Sequence, residues 1–132
     1  MLLKLKKHHI GIIVDNEQIL ELEKKYSKKF NMDETQGTRV LFIWDEELDM
    51  YREYIVREGR VKNSKTGFAH FCYSIENIAL FNQLENYIKD NALGYPVTKL
   101  EKSESEECGW VRFYFIKNQG LIELNLLENL NV

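Results

Sequence analysis

The chain has 132 residues, a formal net charge of −3 and two cysteines. This length suits one ordinary domain, and the slightly acidic balance gives no positive field that would attract nucleic acid or an anionic membrane. No apolar segment is long enough to span a bilayer, and the N-terminus lacks the apolar stretch of a signal peptide, so we expect a cytoplasmic protein whose cysteines are reduced thiols.

The first predicted elements are a strand and a helix. The strand lies within HHIGIIVDN, residues 8–16, where apolar side chains alternate in the pattern of one buried face. Asp15 or Asn16 is a good N-cap for the helix that follows. Beyond the helix, residues 39–53 predict strands joined by a polar turn. The apolar positions at helical spacing are Ile19, Leu22, Tyr26 and Phe30.

A second strand and helix follow in the same order. The strand lies within HFCYSIEN, residues 70–77, and Asn77 is a good N-cap for the next helix. That helix is predicted to end where Gly94 supplies a stop and Pro96 forbids continuation. Its apolar positions at helical spacing are Leu80, Leu84, Tyr87 and Ile88.

The C-terminal part predicts a loop and a hairpin. The polar segment Glu101–Gly109 is predicted to be a mobile loop between strands. Residues 112–123 then predict two strands that are joined by a tight turn at Asn118–Gly120. When Arg39 is set on Arg112, this strand pair resembles the one at residues 39–53.

The chain therefore contains a repeat of strand, helix and strand meander. Setting His9 on His70 also sets Asn16 on Asn77. The repeat predicts an α+β fold of two βαβββ modules, at about residues 5–60 and 67–128. Residues 1–132 form a single domain in this interpretation.

Two histidines and two glutamates are predicted to share one face of the sheet. Strand side chains alternate between faces, so His9 and His70 point away from the apolar row that packs on each helix. Glu123 and Asn125 also point away from that row, and Glu53 lies at the matching point of the first half. A carboxylate inside an apolar strand needs a partner, because burying an unpaired charge is costly. We therefore predict one shared cavity lined by His9, Glu53, His70 and Glu123.

The motifs HHIGIIVDN, AHFCYSIEN and GLIELNLLE resemble those of the vicinal oxygen chelate superfamily, which includes glyoxalase I, methylmalonyl-CoA epimerase, extradiol dioxygenases and bleomycin-resistance proteins. The resemblance covers about residues 5–128. It implies an open barrel-like sheet around a divalent metal ion, and Ni²⁺, Co²⁺, Zn²⁺ and Mn²⁺ all suit such a site. The residues that match the metal ligands of the family are His9, Glu53, His70 and Glu123.

A glutamate at Glu53 resembles glyoxalase I most closely, whereas the epimerases more often have glutamine there. Without Glu53, two histidines and one carboxylate would also suit non-haem iron. The resemblance implies a lyase or isomerase that abstracts a proton through a metal-bound enediolate, with Glu123 and Glu53 as the acid–base residues. A thioester epimerase and a non-catalytic small-molecule-binding protein of the same fold are the alternatives.

The predicted partner is a small-molecule substrate. Arg39 and Arg112 are candidates to bind an anionic tail such as a glutathione carboxylate or a CoA phosphate, although solvated arginines at strand ends would look the same. Asn125 is a third candidate for substrate binding, because it shares the face of Glu123. Members of the superfamily often dimerise, so the resemblance also implies that a homodimer is an option.

Overall fold

The computed structural model describes residues 5–105 and 107–130, which form an α+β structure. Over these residues, no helix has both the length and the apolar character that crossing a bilayer requires. The helices are α1 (Ile19–Tyr26) and α2 (Ile78–Asp90). The strands are β1 (Lys6–Val14), β2 (Asn31–Asp33), β3 (Thr38–Asp45), β4 (Met50–Val56), β5 (Gly67–Ile75), β6 (Gly94–Pro96), β7 (Glu101–Lys102), β8 (Trp110–Ile116) and β9 (Gly120–Leu126).

The fold contains two compact units. The first unit is His9–Ala69, and the second unit comprises the described residues before and after that range. In the first unit the strand order is β2-β3-β4-β1. Strands β1 and β4 are parallel, and the other neighbours are antiparallel. Helix α1 covers a core of buried side chains: Val14, Ile19, Phe30, Leu41, Tyr54 and Val56.

The second unit has the same internal topology. Its strand order is β5-β9-β8-β6, with the short strand β7 also paired to β8. Strands β5 and β9 are parallel, and β8 is antiparallel to its neighbours. Helix α2 packs on a buried core: Ile75, Phe81, Leu84, Ile88, Tyr114, Ile116, Ile122, Leu124 and Leu126. The predicted α+β class with two βαβββ modules is therefore confirmed.

The helices differ in detail from the predicted apolar pattern. Helix α1 ends at Tyr26, because Ser27 adopts the left-handed conformation with φ 53°, so Phe30 lies beyond the helix although it joins the same core. In α2, Phe81 is buried, whereas Leu80 is 45 % exposed. Leu80 and Tyr87 fit the helical spacing but are 45 % and 38 % exposed, so they do not belong to the buried face of α2.

The predicted cap of α2 is confirmed, and its predicted stop is not. The Asn77 side chain accepts a hydrogen bond from the Leu80 N–H at 2.9 Å. The helix ends at Asp90, before Gly94, which lies in β6. A Cβ at Gly94 would lie 2.0 Å from the backbone oxygen of Phe115. Gly94 therefore permits the close approach of β6 to β8, and it is not the helix stop.

The polar segment Glu101–Gly109 is shorter as a loop than predicted. Its first two residues form β7, and the Ser103 N–H donates to the Gly109 oxygen at 2.8 Å. Glu106 lies outside the described residues. The predicted hairpin turn is confirmed, because Ile116 pairs with Gly120 and Asn118 has φ 66°.

Candidate metal centre

The first unit buries a histidine beside a glutamate. His9 lies on β1, and Glu53 lies on the parallel strand β4, opposite Gly11. Because His9 and Gly11 are two residues apart, they share a face, so the imidazole reaches the carboxylate of the neighbouring strand. His9 Nε2 lies 3.3 Å from Glu53 Oε1. Both residues are buried, at 0 % and 2 % exposure.

The second unit builds the same pair at the equivalent positions. His70 lies on β5, and Glu123 lies on the parallel strand β9, opposite Cys72. His70 Nε2 lies 3.1 Å from Glu123 Oε1, and both side chains are buried. The strand register is therefore the same as in the first unit, and each module brings its predicted histidine to its predicted glutamate.

A phenylalanine packs against each histidine, and neither residue was predicted from the sequence. Phe42 on β3 lies opposite Glu53, and its ring stands edge-on to His9 at a centroid distance of 5.1 Å. Phe113 on β8 lies opposite Glu123, and its ring stands edge-on to His70, also at 5.1 Å. These rings pack on the imidazoles and help to keep the pairs dry.

The predicted alignment of the two strand pairs is wrong by two residues. It set Arg39 on Arg112, which places Phe42 on Phe115. The register opposite the two glutamates instead makes Phe42 equivalent to Phe113. The turn between the two strands is longer in the first module than in the second. An alignment that starts from the two glutamates and allows for this difference in turn length makes Phe42 equivalent to Phe113.

The donor atoms of these pairs fit a divalent metal ion. Two ligands that each lie about 2.1 Å from an ion are about 3.0 Å apart at a right angle and about 3.4 Å apart at a tetrahedral angle. The measured separations of 3.3 Å and 3.1 Å fall in this range. Both separations are longer than a charge-assisted hydrogen bond, which is typically about 2.7–2.9 Å. These buried histidine and glutamate groups could therefore hold a metal ion.

Gln36 contacts Glu53 and was also missed. Its amide Nε2 donates to Glu53 Oε2 at 3.1 Å and to Asp33 Oδ2 at 2.8 Å. Gln36 and Asp33 are 6 % and 8 % exposed. The two residues lie at the end of β2 and in the turn before β3, so strand alternation gave no signal for them.

The three predicted substrate-binding residues have partners within the protein. Arg39 binds Glu58 through two hydrogen bonds of 2.8 and 3.0 Å. Arg112 donates to Glu85 of α2 at 2.6 Å, so its guanidinium lies on the helix side of the sheet. The Asn125 side chain is fully buried, and its Oδ1 accepts the Gly109 N–H at 2.7 Å. The structure therefore brings neither arginine to the histidine–glutamate pairs, and Asn125 anchors a loop.

The Arg39–Glu58 contact predicts a pH dependence of stability. The hydrogen bonds from Arg39 hold the pKa of Glu58 below its usual value. A lowered pKa stabilises the folded state above the unfolded value of about 4.3, and this contribution is lost as the pH falls through the folded-state pKa. Glu58→Gln should lower the thermal midpoint at neutral pH by a small amount, equivalent to less than about 1 kcal/mol for an exposed pair.

The difference between wild type and Glu58→Gln at neutral pH should shrink towards zero at an acid pH below the lowered pKa of Glu58, where the Glu58 carboxyl group is protonated and carries no charge for Arg39 to bind. Thermal unfolding at both pH values measures it. Glu21→Gln, at an exposed position on α1, is the matched control. A difference that stays constant with pH would contradict the assignment.

The chain is similar to known proteins in structure, whereas the searches by sequence found no match. No protein-family model matches it, and no curated protein matches it. Solved structures do match. A hypothetical protein from Bacillus halodurans C-125 has a TM-score of 0.68 at 14% identity, and the match covers 98% of this chain and 99% of that one.

Two methylmalonyl-CoA epimerases and a dioxygenase are also similar in structure to this chain. Methylmalonyl-CoA epimerase from Mycobacterium tuberculosis has a TM-score of 0.64 at 13% identity, over 93% of this chain and 88% of that one. A methylmalonyl-CoA epimerase in complex with methylmalonyl-CoA has a TM-score of 0.64 at 18% identity, over 97% and 96%. The 2,3-dioxygenase LapB from Pseudomonas sp. KL28 has a TM-score of 0.61 at 20% identity, over 92% of this chain and 40% of that one.

These likenesses extend over both modules, and at these identities they show the fold alone. The enzymes among these proteins are epimerases and a dioxygenase. The closer resemblance to glyoxalase I therefore stays a prediction. The chain has the fold of these proteins, the vicinal oxygen chelate fold that its repeated motifs predict.

Proposed function

We propose that this protein is a metal-dependent enzyme that removes a proton from a carbon atom next to a carbonyl group. The observation that carries the proposal is the buried histidine–glutamate pair, built twice at equivalent positions of two modules. Burying an imidazole and a carboxylate in each module costs solvation free energy, and apolar side chains would fill the core without that cost. A bound cation would offset that cost.

The residues that would hold the ion are His9, Glu53, His70 and Glu123. Two imidazoles and two carboxylates suit Ni²⁺, Co²⁺, Mn²⁺ or Zn²⁺. When bound, such an ion supplies a Lewis acid that stabilises negative charge on substrate oxygens. Phe42 and Phe113 pack against the imidazoles and keep water away from the pairs.

Glu123 is the residue that we assign as general base. It lies in β9 between Ile122 and Leu124, which are buried against α2. A strand held on both sides keeps the carboxylate in one place, as proton transfer requires. His70 Nε2 lies 3.1 Å from its Oε1, a separation that suits two ligands of the same ion.

Two reaction types share this chemistry. The glutamate at position 53 favours isomerisation of a hemithioacetal, as in glyoxalase I, because it supplies a second carboxylate. The similarity to methylmalonyl-CoA epimerase structures favours epimerisation next to a thioester. A binding protein without chemistry is the alternative class, and it would not need a base at Glu123.

The experiment is metal analysis of the purified protein, followed by exchange of the substrate C–H in D₂O. Methylglyoxal–thiol adducts and methylmalonyl-CoA are the two probes. We expect about one divalent ion per chain and metal-dependent exchange in one of the probes. A protein that binds metal and exchanges neither probe would support the binding-protein alternative, and a protein that binds no divalent metal would overturn the proposal.

A further inference from the structure

One glutamate of the candidate centre, Glu53, is held by a side chain from the turn before β3. Glu53 Oε1 faces His9 at 3.3 Å, whereas its other oxygen, Oε2, accepts a hydrogen bond from Gln36. Gln36 therefore holds Oε2 by a hydrogen bond, whereas Oε1 is buried without one. A carboxylate held in this way presents Oε1, the oxygen beside His9, to the ion.

Gln36 can hold Glu53 because its amide is itself anchored. An amide nitrogen has two donor hydrogens, and the second bond of Gln36 Nε2 goes to Asp33 Oδ2 at 2.8 Å. The other oxygen of Asp33 accepts the Thr35 N–H at 3.1 Å. The bonds thus form a continuous path from the turn backbone through Asp33 and Gln36 to Glu53, and all of these side chains are buried.

Neighbouring residues also hold the turn that carries Gln36. The Arg60 guanidinium donates a hydrogen bond to the backbone oxygen of Thr35 at 2.7 Å. The Gly37 N–H donates to the backbone oxygen of Asp33 at 2.8 Å, and Gly37 adopts φ 66°. Gly59 lies so close that a Cβ there would meet the Gly37 oxygen at 1.8 Å. The Gln36 side chain therefore starts from a backbone with little freedom.

We infer that Gln36 is a positioning residue that restricts Glu53 to the role of a one-oxygen metal ligand, which leaves proton transfer to Glu123. This inference rests on the proposed function, because it concerns the ligand role of Glu53. It assigns different tasks to two glutamates that occupy equivalent places in the repeat. Outer contacts of this kind typically change metal affinity by about 10- to 100-fold.

The test compares Gln36→Met with wild type. Methionine keeps the length and removes both donors, so Glu53 should become free to rotate. We expect the dissociation constant for Co²⁺, measured by calorimetry, to rise about 10- to 100-fold. The visible absorption bands of the Co²⁺ protein should shift, because a released carboxylate can bind through both oxygens. Gln83→Met, at an exposed position on α2, is the matched control and should change neither quantity.

A second variant covers the case in which Gln36→Met does not fold. Gln36→Asn keeps the donors, but it is one methylene shorter and cannot bridge Asp33 and Glu53, so it should weaken Co²⁺ binding in the same direction. Thermal unfolding of the metal-free proteins shows whether each variant folds. Wild-type affinity and an unchanged spectrum in a folded Gln36 variant would overturn the inference. Absence of Co²⁺ binding by wild type would instead overturn the proposed function, so the two failures are distinguishable.

Discussion

Glu123→Gln should lower the turnover of the active substrate by about two to four orders of magnitude, the usual contribution of general acid–base catalysis. Glutamine keeps the size of the side chain and one oxygen that can bind a metal, and it removes the basicity. The fold should survive, because a neutral amide costs less to bury than a carboxylate. Exchange of the substrate C–H in D₂O, with metal content measured in each sample, reports the loss directly.

The control for this variant is Glu76→Gln, which makes the same chemical change at an exposed position after β5. It should exchange at the wild-type rate. If Glu123→Gln holds its metal and also exchanges at the wild-type rate, Glu123 is not the base. Loss of metal together with activity would show that an amide at this position cannot replace the Glu123 carboxylate as a ligand, and the loss of activity would then not identify the base.

Replacing both His9 and His70 with alanine should abolish stoichiometric metal binding. Each imidazole is buried beside its glutamate, so the double variant removes a nitrogen donor from both modules. The remaining carboxylates would bind a transition-metal ion far more weakly, because imidazole is a preferred ligand of such ions. Metal content after dialysis, measured by elemental analysis, checks the result.

His8 is the informative comparison, since it precedes His9 in β1 and is itself a candidate metal ligand. His8→Ala should keep the full metal content. Full metal affinity in the His9→Ala, His70→Ala double variant would refute the ligand assignment. If only His8→Ala loses the metal, the nitrogen ligand is His8 and the assignment of His9 is wrong.

Strand alternation was enough to predict that the two histidines and two glutamates share one face of the sheet, although it did not predict which histidine lies beside which glutamate. It placed His9 opposite the apolar row of β1 and Glu123 opposite that of β9, and the structure brings each predicted histidine beside its glutamate. Alternation works here because one face of each strand is buried against a helix, which leaves no freedom in the register.

The supporting residues could not be predicted in the same way. Phe42 and Phe113 reach the imidazoles from neighbouring strands, so their places depend on turn lengths that differ between the modules. Gln36 lies in a turn, where side-chain direction follows from individual backbone angles such as φ 66° at Gly37. Strand alternation also gave no sign that Arg39 and Arg112 bind Glu58 and Glu85, because these carboxylates lie outside the strands of the arginines.

The parallel pairing of the first and last strands of each module has a kinetic consequence. His70 and Glu123 are 53 residues apart in sequence, and they meet only when β9 has docked on β5. Contacts between such distant residues form late, because the intervening chain must first be closed. An ion bound by these pairs would therefore slow unfolding and leave the folding rate nearly unchanged. Metal removal should then shorten the lifetime of the native state, and a truncated module that lacks its last strand should bind no metal.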